Sequence, residues 1–303
     1  MKRLGGLATR EPHALSGKTI RKAVIAAAGL GTRLLTATKE QPKEMLPLFA
    51  SSDGELCIKP LAQLIFEQIY DFGVREFLFV VGRGKRVIED HFTPDSGFMK
   101  VLTARGKGSG VRQLEQFYSM IRGSRISWVN QDEPLGFGHA VLQVNGMTGD
   151  QPFLVCAGDT YILSKVNSYL SRLLDGFYKG STAAAVLLRE VADPRPYGVA
   201  ETKRDGFGLS ISRVVEKPRR PKTNIAILPI YVFNSEIFDA LRDVKPGHGN
   251  ELQLTDAIQR MIESGKRVAG VKLRAKEVRL DVGVPKSYWD ALAASYRYFS
   301  EHR

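Results

Sequence analysis

The 303 residues include 44 Lys+Arg against 32 Asp+Glu, a formal net charge of +12, with 43% hydrophobic and 25% charged residues. This is the composition of a soluble globular chain with ample material for a core, either one large domain or a domain with a substantial insert. Two cysteines, Cys57 and Cys156, rule out a disulfide framework or a cysteine zinc site, and no apolar run is long enough to span a bilayer.

The sign of the charge points to anionic partners: nucleic acid, a membrane surface or phosphorylated small molecules. Basic residues are spread over 2–22, 83–86, 100–112 and 213–222 rather than gathered in one helix or tail, so much of the charge is read as solvated surface. Residues 1–20 mix Gly, Pro, Ser and cations without periodicity and are expected to be a loosely ordered leader. Lacking a secretory apolar segment, the chain is expected to be cytoplasmic.

Residues 21–303 are expected to form a single domain, with halves at 21–160 and 161–303. An apolar run at 22–28 reads as a buried parallel strand ending in a glycine turn. A helical pattern at 61–72, a strand at 76–81 and a helix at 86–92 follow, the rhythm of a doubly wound sheet. A strand at 126–130, a helix at 139–144 and a strand at 152–157 continue it, so the parallel sheet should run to about residue 160. Cys156, within PFLVCAG, reads as a reduced core thiol. Strand-like runs at 182–191, 197–201, 210–215 and 225–233, with Asp205-Gly206 as a hairpin signal, add antiparallel strands. Residues 254–263 read as a helix stopped by Gly265. A last helix at 287–299 sets Trp289, Leu292, Ala293, Tyr296 and Phe299 on one face, as core or subunit contact. The fold class is α/β: a doubly wound, mostly parallel, Rossmann-like sheet with added antiparallel strands.

The loop after the first strand begins AAAGLGTRLLTATKEQPKEMLPL. A dinucleotide fingerprint needs a third glycine where Leu34 stands, and an acid at the next strand end, whereas Asp53 and Glu55 read as part of a polar loop. In its place come Gly29, Gly31, Thr32, Arg33, Lys39 and Lys43, with Pro42 stiffening the approach to Lys43. Small residues let backbone N–H groups approach phosphate oxygens while the cations supply charge, so the stretch reads as a triphosphate cradle without a Walker lysine.

The run AGLGTRLLTATKEQPKEMLPL is very similar to the opening motif of bacterial and archaeal UTP:glucose-1-phosphate uridylyltransferases, within the sugar nucleotidyltransferase family. The resemblance extends from Lys22 to the last helix and departs at Thr36, where the family usually has proline. It implies nucleotide contacts at Ala28, Gly29, Gly31 and Thr32, and catalytic cations at Arg33 and Lys43. In NQDEPLGFGHAVL, the Gln131 amide can pair with the imide edge of uracil and Gly136 lets backbone reach the base, as the resemblance also implies. Leu135 replaces the lysine often found there, and His139 reads as a structural residue at a helix start.

Asp159, after the strand PFLVCAG, stands where open α/β sheets bind ligands and could hold Mg²⁺ between phosphates. The resemblance assigns it to the metal and makes Asp281, in RLDVGVP, the second candidate ligand, although an aspartate before Gly283 could simply shape a turn. It also implies sugar contacts at Gly198 and Glu216, with Lys217 holding the sugar phosphate. Adjacent strand residues face opposite ways, so Glu216 and Lys217 can share a ligand only at an irregular strand end, where Pro218 should keep Lys217 extended.

The implied reaction is attack of a glucose 1-phosphate oxygen on the α-phosphorus of UTP, with pyrophosphate leaving on Mg²⁺. No general base is needed, because a phosphate monoester with a second pKa near ~6 is already a dianion at neutral pH. A thymidylyltransferase, or a transferase for another hexose 1-phosphate, is the alternative, since thymine offers Gln131 the same edge. A nucleic-acid binder fits the charge but lacks a binding motif, and Asp159 with Lys217 argues against a non-catalytic nucleotide sensor. The expected partners are UTP and glucose 1-phosphate, without nucleic acid or membrane, in a homo-oligomer.

Overall fold

A computed structural model of the chain describes residues 19–301; apart from its last two residues, the leader expected at 1–20 lies outside the described residues. The first half contains β1 (Lys22–Ala27), β2 (Pro47–Ser52), β3 (Glu55–Pro60), α1 (Leu61–Asp71), β4 (Glu76–Gly82), α2 (Arg86–His91), α3 (Ser96–Ala104), α4 (Gly108–Arg122), β5 (Arg125–Gln131), α5 (Phe137–Leu142), β6 (Phe153–Ala157) and β7 (Thr160–Leu163). The second contains α6 (Ser168–Phe177), β8 (Thr182–Glu190), β9 (Gly198–Asp205), β10 (Gly208–Glu216), β11 (Ile225–Phe233), α7 (Glu236–Asp243), α8 (Leu254–Glu263), β12 (Arg267–Lys272), β13 (Val278–Asp281) and α9 (Pro285–Glu301).

Nine strands form one sheet in the order β5-β4-β1-β6-β11-β8-β12-β10-β9. The first four are mutually parallel. β11 runs antiparallel to β6 and β8, and β10 antiparallel to β9 and β12. Sheet formation follows from apolarity on both faces. Ala23, Ile25 and Ala27 of β1 face the core under α1, α4 and α6, while Val24 faces the core under α5, α7 and α8. A strand covered on both sides is apolar along its buried length, which is why AVIAA, after Lys22 at the strand's start, does not alternate. Helix α8 shows the complementary pattern, burying Leu254, Ala257, Ile258 and Met261 along one stripe and stopping before Gly265, whose φ is 76°. Cys156 is buried, and burial pushes its thiol up to about 12, the behaviour of an inert core residue.

Three features differ from the sequence expectations. Asp53 and Gly54 are not a polar loop but the two-residue turn of the β2–β3 hairpin, both with positive φ, and Glu55 opens β3. β12 joins the second half parallel to β8, so the added strands are not all antiparallel. In α9 the buried face is built on Tyr288, Ala291, Leu292, Ser295 and Phe299, leaving Trp289 64% and Tyr296 49% exposed. The stripe from Trp289 to Phe299 therefore straddles the edge of the core face, and the Tyr296 ring packs at 5.1 Å against Phe49 of β2 instead.

Candidate active site

At the carboxyl end of β1 the chain leaves the sheet through Ala28, Gly29 and Leu30 and makes a single turn at Thr32–Leu34. Gly31 has φ 67°, and a Cβ there would lie 3.2 Å from Thr38, whose hydroxyl donates to the Gly31 carbonyl at 2.8 Å. This fold-back lets Ala28, Gly29, Gly31, Thr32, Arg33 and Lys43 line one cavity of about 330 Å³ together with Gln131, Gly136 and Asp159. Lys39 does not join them: it is exposed and pairs with Glu40 at 3.4 Å. The Leu35–Thr36 peptide, where the motif departs from the family pattern, is cis.

Lys43 follows Pro42 in a second short turn and reaches Asp159 Oδ2 at 2.5 Å. Asp159 comes directly after Gly158, where a Cβ would lie 3.1 Å from both the Ala26 carbonyl and the Glu44 side chain. Burial opposes charge on Asp159, but the Lys43 ammonium, helped by Arg279 and the Thr160 hydroxyl, overrides it and holds the carboxyl below its ordinary value. Burial likewise opposes charge on Lys43, and Asp159 and Glu44 together hold it above its ordinary value. Beneath this pair Glu44 meets Lys85 at 2.8 Å, both side chains nearly inaccessible; burial pushes Glu44 upward despite Lys85 and Lys43. The cavity thus presents a charged cation–carboxylate couple at neutral pH.

At its other end lies Gln131, 4% exposed at the end of β5. Its Nε2 donates to the Gly136 carbonyl at 3.1 Å and meets His139 Nδ1 at 3.0 Å, so His139 serves to orient the amide. With Nε2 turned to the Gly136 carbonyl, Oε1 remains as an acceptor for a ligand N–H. Gly136 has φ 103°, and a Cβ there would fall 2.7 Å from Glu251 and 2.9 Å from the Leu252 carbonyl. That second-half segment clamps the loop: Leu252 donates to the Leu135 carbonyl at 2.7 Å and Gly138 donates to the Leu252 carbonyl at 2.8 Å.

A second cluster forms where β10 ends. Lys217 is not extended, as expected from Pro218, but has φ 40°, a conformation disfavoured for a residue with a Cβ. The turn brings Lys217 to the same side as Glu216, Nζ to Oε1 3.4 Å, which removes the difficulty of adjacent residues facing opposite ways. Two contacts hold the turn. Lys217 donates its backbone N–H to the Tyr197 carbonyl at 3.0 Å, and Glu216 Oε2 accepts from Thr255 at 2.7 Å. Gly198 completes the cluster, since a Cβ there would lie 2.8 Å from the Thr255 hydroxyl and 3.1 Å from Glu216 Oε2.

β13 joins the two regions. It pairs with β7 so that Asp281 faces Thr160, and Val282 donates to the Asp159 carbonyl at 3.1 Å. Asp281 Oδ1 accepts from Arg279 at 2.6 Å, while a Cβ on Gly283 would lie 2.9 Å from Asp281 Oδ2 and 3.4 Å from Arg33 Nη2. No group of three or more His, Cys, Asp or Glu converges among the described residues. Two carboxylates on neighbouring strand ends suit a hard cation that keeps water and phosphate oxygens as its other ligands, as Mg²⁺ does. Sequence reasoning missed Glu251, Thr255, Tyr197 and Arg279; only Arg279 carried a local signal, two residues before Asp281 on the same face of a strand.

The chain is similar to known proteins in sequence and in fold. A uridylyltransferase of Bacillus subtilis strain 168, named for UTP and glucose 1-phosphate, is 36% identical over 281 residues, covering 88% of this chain and 91% of its own. A protein of the same name from Staphylococcus epidermidis is 37% identical over 249 residues, covering 80% and 82%. A solved UDP-glucose pyrophosphorylase in complex with UDP-glucose superposes with a TM-score of 0.79 at 31% identity, covering 92% of this chain and 100% of that one. The nucleotidyl transferase family profile matches residues 22–297, which takes in the glycine loop, the Lys43–Asp159 couple, the Lys217 turn and Asp281 alike. With the family match over this span and the relatives in agreement, the chain belongs to the nucleotidyl transferase family.

Proposed function

We propose that the chain transfers a uridylyl group from UTP to glucose 1-phosphate, giving UDP-glucose and pyrophosphate. The observation that carries this reading is the single cavity in which Arg33, Lys43 and Asp159 stand at one end and Gln131 with Gly136 at the other. The names of the relatives supply the sugar. A sugar phosphate dianion attacks the α-phosphorus in line, so the protein's task is to align two anions and offset their repulsion. Arg33 and Lys43 stabilise charge that shifts toward the departing pyrophosphate, Lys217 holds the acceptor phosphate, and Glu216 accepts from sugar hydroxyls. Asp159 and Asp281 would hold Mg²⁺, which when bound neutralises phosphate oxygens and orients the leaving group. Lys43 then exchanges its carboxylate partner for a triphosphate oxygen.

A panel of UTP, dTTP, CTP, GTP and ATP against several sugar 1-phosphates with Mg²⁺, read by pyrophosphate release, tests the reading. UTP with glucose 1-phosphate should give the highest kcat/KM. CTP should lose at least about a hundredfold, because cytosine presents an acceptor where uracil presents N3–H, leaving Gln131 Oε1 unpaired. Preference for another pair would reassign the substrates, and no pyrophosphate from any pair would remove the activity.

The glycine at 136 offers a narrower check. Gly136→Ala adds a Cβ at positive φ into the Glu251–Leu252 clamp, so UTP affinity should fall at least about tenfold. Gly54→Ala, also at positive φ but with open space around it in the distant hairpin turn, should leave UTP affinity unchanged. Equal titration curves for all three proteins would show that the loop's shape is not required by the base.

A further inference from the structure

The Arg279 side chain is 12% exposed, and its one side-chain hydrogen bond among the described residues runs from Nη2 to Asp281 Oδ1. Its Nε is buried with no partner at all. A guanidinium has five N–H donors and keeps its charge in proteins, so a buried arginine with so few bonds is a group waiting for an acceptor. The neighbouring carboxylates are already engaged: Asp159 with Lys43, and Glu216 with Thr255 and Lys217. None of these carboxylates accepts from Nε, so the guanidinium keeps donor capacity that an anion from outside the chain could use.

Position narrows which anion. The guanidinium carbon lies 5.4 Å from the centre of the Tyr197 ring, and Tyr197 is the residue whose carbonyl holds the Lys217 turn. In the other direction the positive charge acts on Asp159. Arg279 does not line the cavity that contains Arg33, Lys43 and Gln131. It stands between the two sites, on the acceptor side.

We propose that Arg279 is a phosphate-binding residue of the acceptor site, gripping the phosphate of the incoming sugar 1-phosphate together with Lys217. The proposal rests on the reading of the acceptor as a sugar 1-phosphate. An ammonium such as Lys217 is a point charge, whereas a guanidinium fork fixes two phosphate oxygens and so orients the third toward the α-phosphorus. Asp281 and the Tyr197 ring hold that fork in place before the substrate arrives.

Arg279→Met and Arg279→Lys test this through steady-state kinetics, UTP binding without sugar, and thermal shift with glucose 1-phosphate against glucose. Arg279→Met should lower kcat/KM for glucose 1-phosphate by about ten- to a hundredfold, mainly through KM, while UTP affinity stays within about threefold. It should also lose the thermal shift that glucose 1-phosphate produces and glucose does not. Arg279→Lys, which keeps charge but not the fork, should recover part of both. Unchanged KM and thermal shift would overturn the proposal, and so would an equal loss in UTP binding, which would make Arg279 a strut for Asp281. If the wild-type protein released no pyrophosphate with any sugar 1-phosphate, the functional reading would fail separately. The thermal shift would then decide: phosphate-dependent in wild type and absent in Arg279→Met supports the site, and any other pattern overturns it.

Discussion

Asp159→Asn is expected to lower kcat/KM by more than about a hundredfold, because replacing even an outer partner of a metal ligand typically costs ten- to a hundredfold. The change is nearly isosteric and removes only the anionic oxygens. The fold should survive it. Asparagine Oδ1 can still accept from the Lys43 ammonium, so an ion pair becomes a charge–dipole hydrogen bond, a loss of about 1 to 2 kcal/mol. Against a typical total of roughly 5 to 15 kcal/mol, that lowers the unfolding midpoint by a few degrees. The stability difference should also depend on pH. Asp159 has its carboxyl held below the ordinary range in the folded protein. It therefore contributes stability above its unfolded pKa of about 3.9 and loses it as pH falls through the lower folded value. Wild type and variant should converge in acid and separate at neutral pH. Turnover within about threefold of wild type at high Mg²⁺ would leave Asp159 as a partner of Lys43 and nothing more.

Legibility of the fold followed the uniformity of the local signal. The apolar runs of β1, β4 and β6 could be read directly because both faces of those strands are buried, and α8 because its buried stripe keeps one period. The β2–β3 hairpin was missed although Asp53-Gly54 is the same dipeptide signal recognised at Asp205-Gly206. Its strands include Pro47, Pro60 and the polar pair Ser51-Ser52, which hide the alternation. β12, RVAGVK, is short and broken by Gly270, where a Cβ would lie 2.8 Å from Leu188, so close packing rather than propensity sets that position. In α9 the aromatic residues made the more hydrophobic stripe, but small residues at Ala291 and Ser295 mark where the helix approaches the core.

The candidate site divides in the same way. Arg33, Lys43, Gln131 and Asp159 sit in contiguous motifs at strand ends, where sequence order and spatial order agree. Thr255 meets Glu216 across 39 residues, and Glu251 packs on Gly136 from the other half, so neither leaves a local trace. For Lys217 the local rule pointed the wrong way. A residue before proline favours extended backbone, yet the Tyr197 carbonyl and the Glu216 contact hold Lys217 at φ 40°. Such a conformation costs on the order of 1 to 3 kcal/mol, and its effect is to direct the ammonium to the Glu216 side of the strand end.

That geometry makes Lys217→Met the most discriminating substitution. Methionine keeps much of the stem's packing and a Cβ under the same backbone constraint, but loses the charge. If the ammonium holds the acceptor phosphate, the loss is a charge-assisted contact of about 1.5 to 3 kcal/mol, which is roughly ten- to a hundredfold in kcat/KM. The loss should appear in titrations of glucose 1-phosphate, while UTP binding measured without sugar stays within about threefold, since Lys217 does not line the nucleotide cavity. A role confined to the turn would behave differently. Lys217→Gly relaxes the positive φ while losing the same charge, so a structural role predicts that glycine is tolerated and methionine is not. A phosphate contact predicts that both lose sugar-phosphate affinity to a similar extent. Two variants with normal sugar-phosphate kinetics would withdraw the acceptor site from the Gly198, Glu216 and Lys217 cluster, and leave the nucleotide cavity as the only substrate site the fold supports.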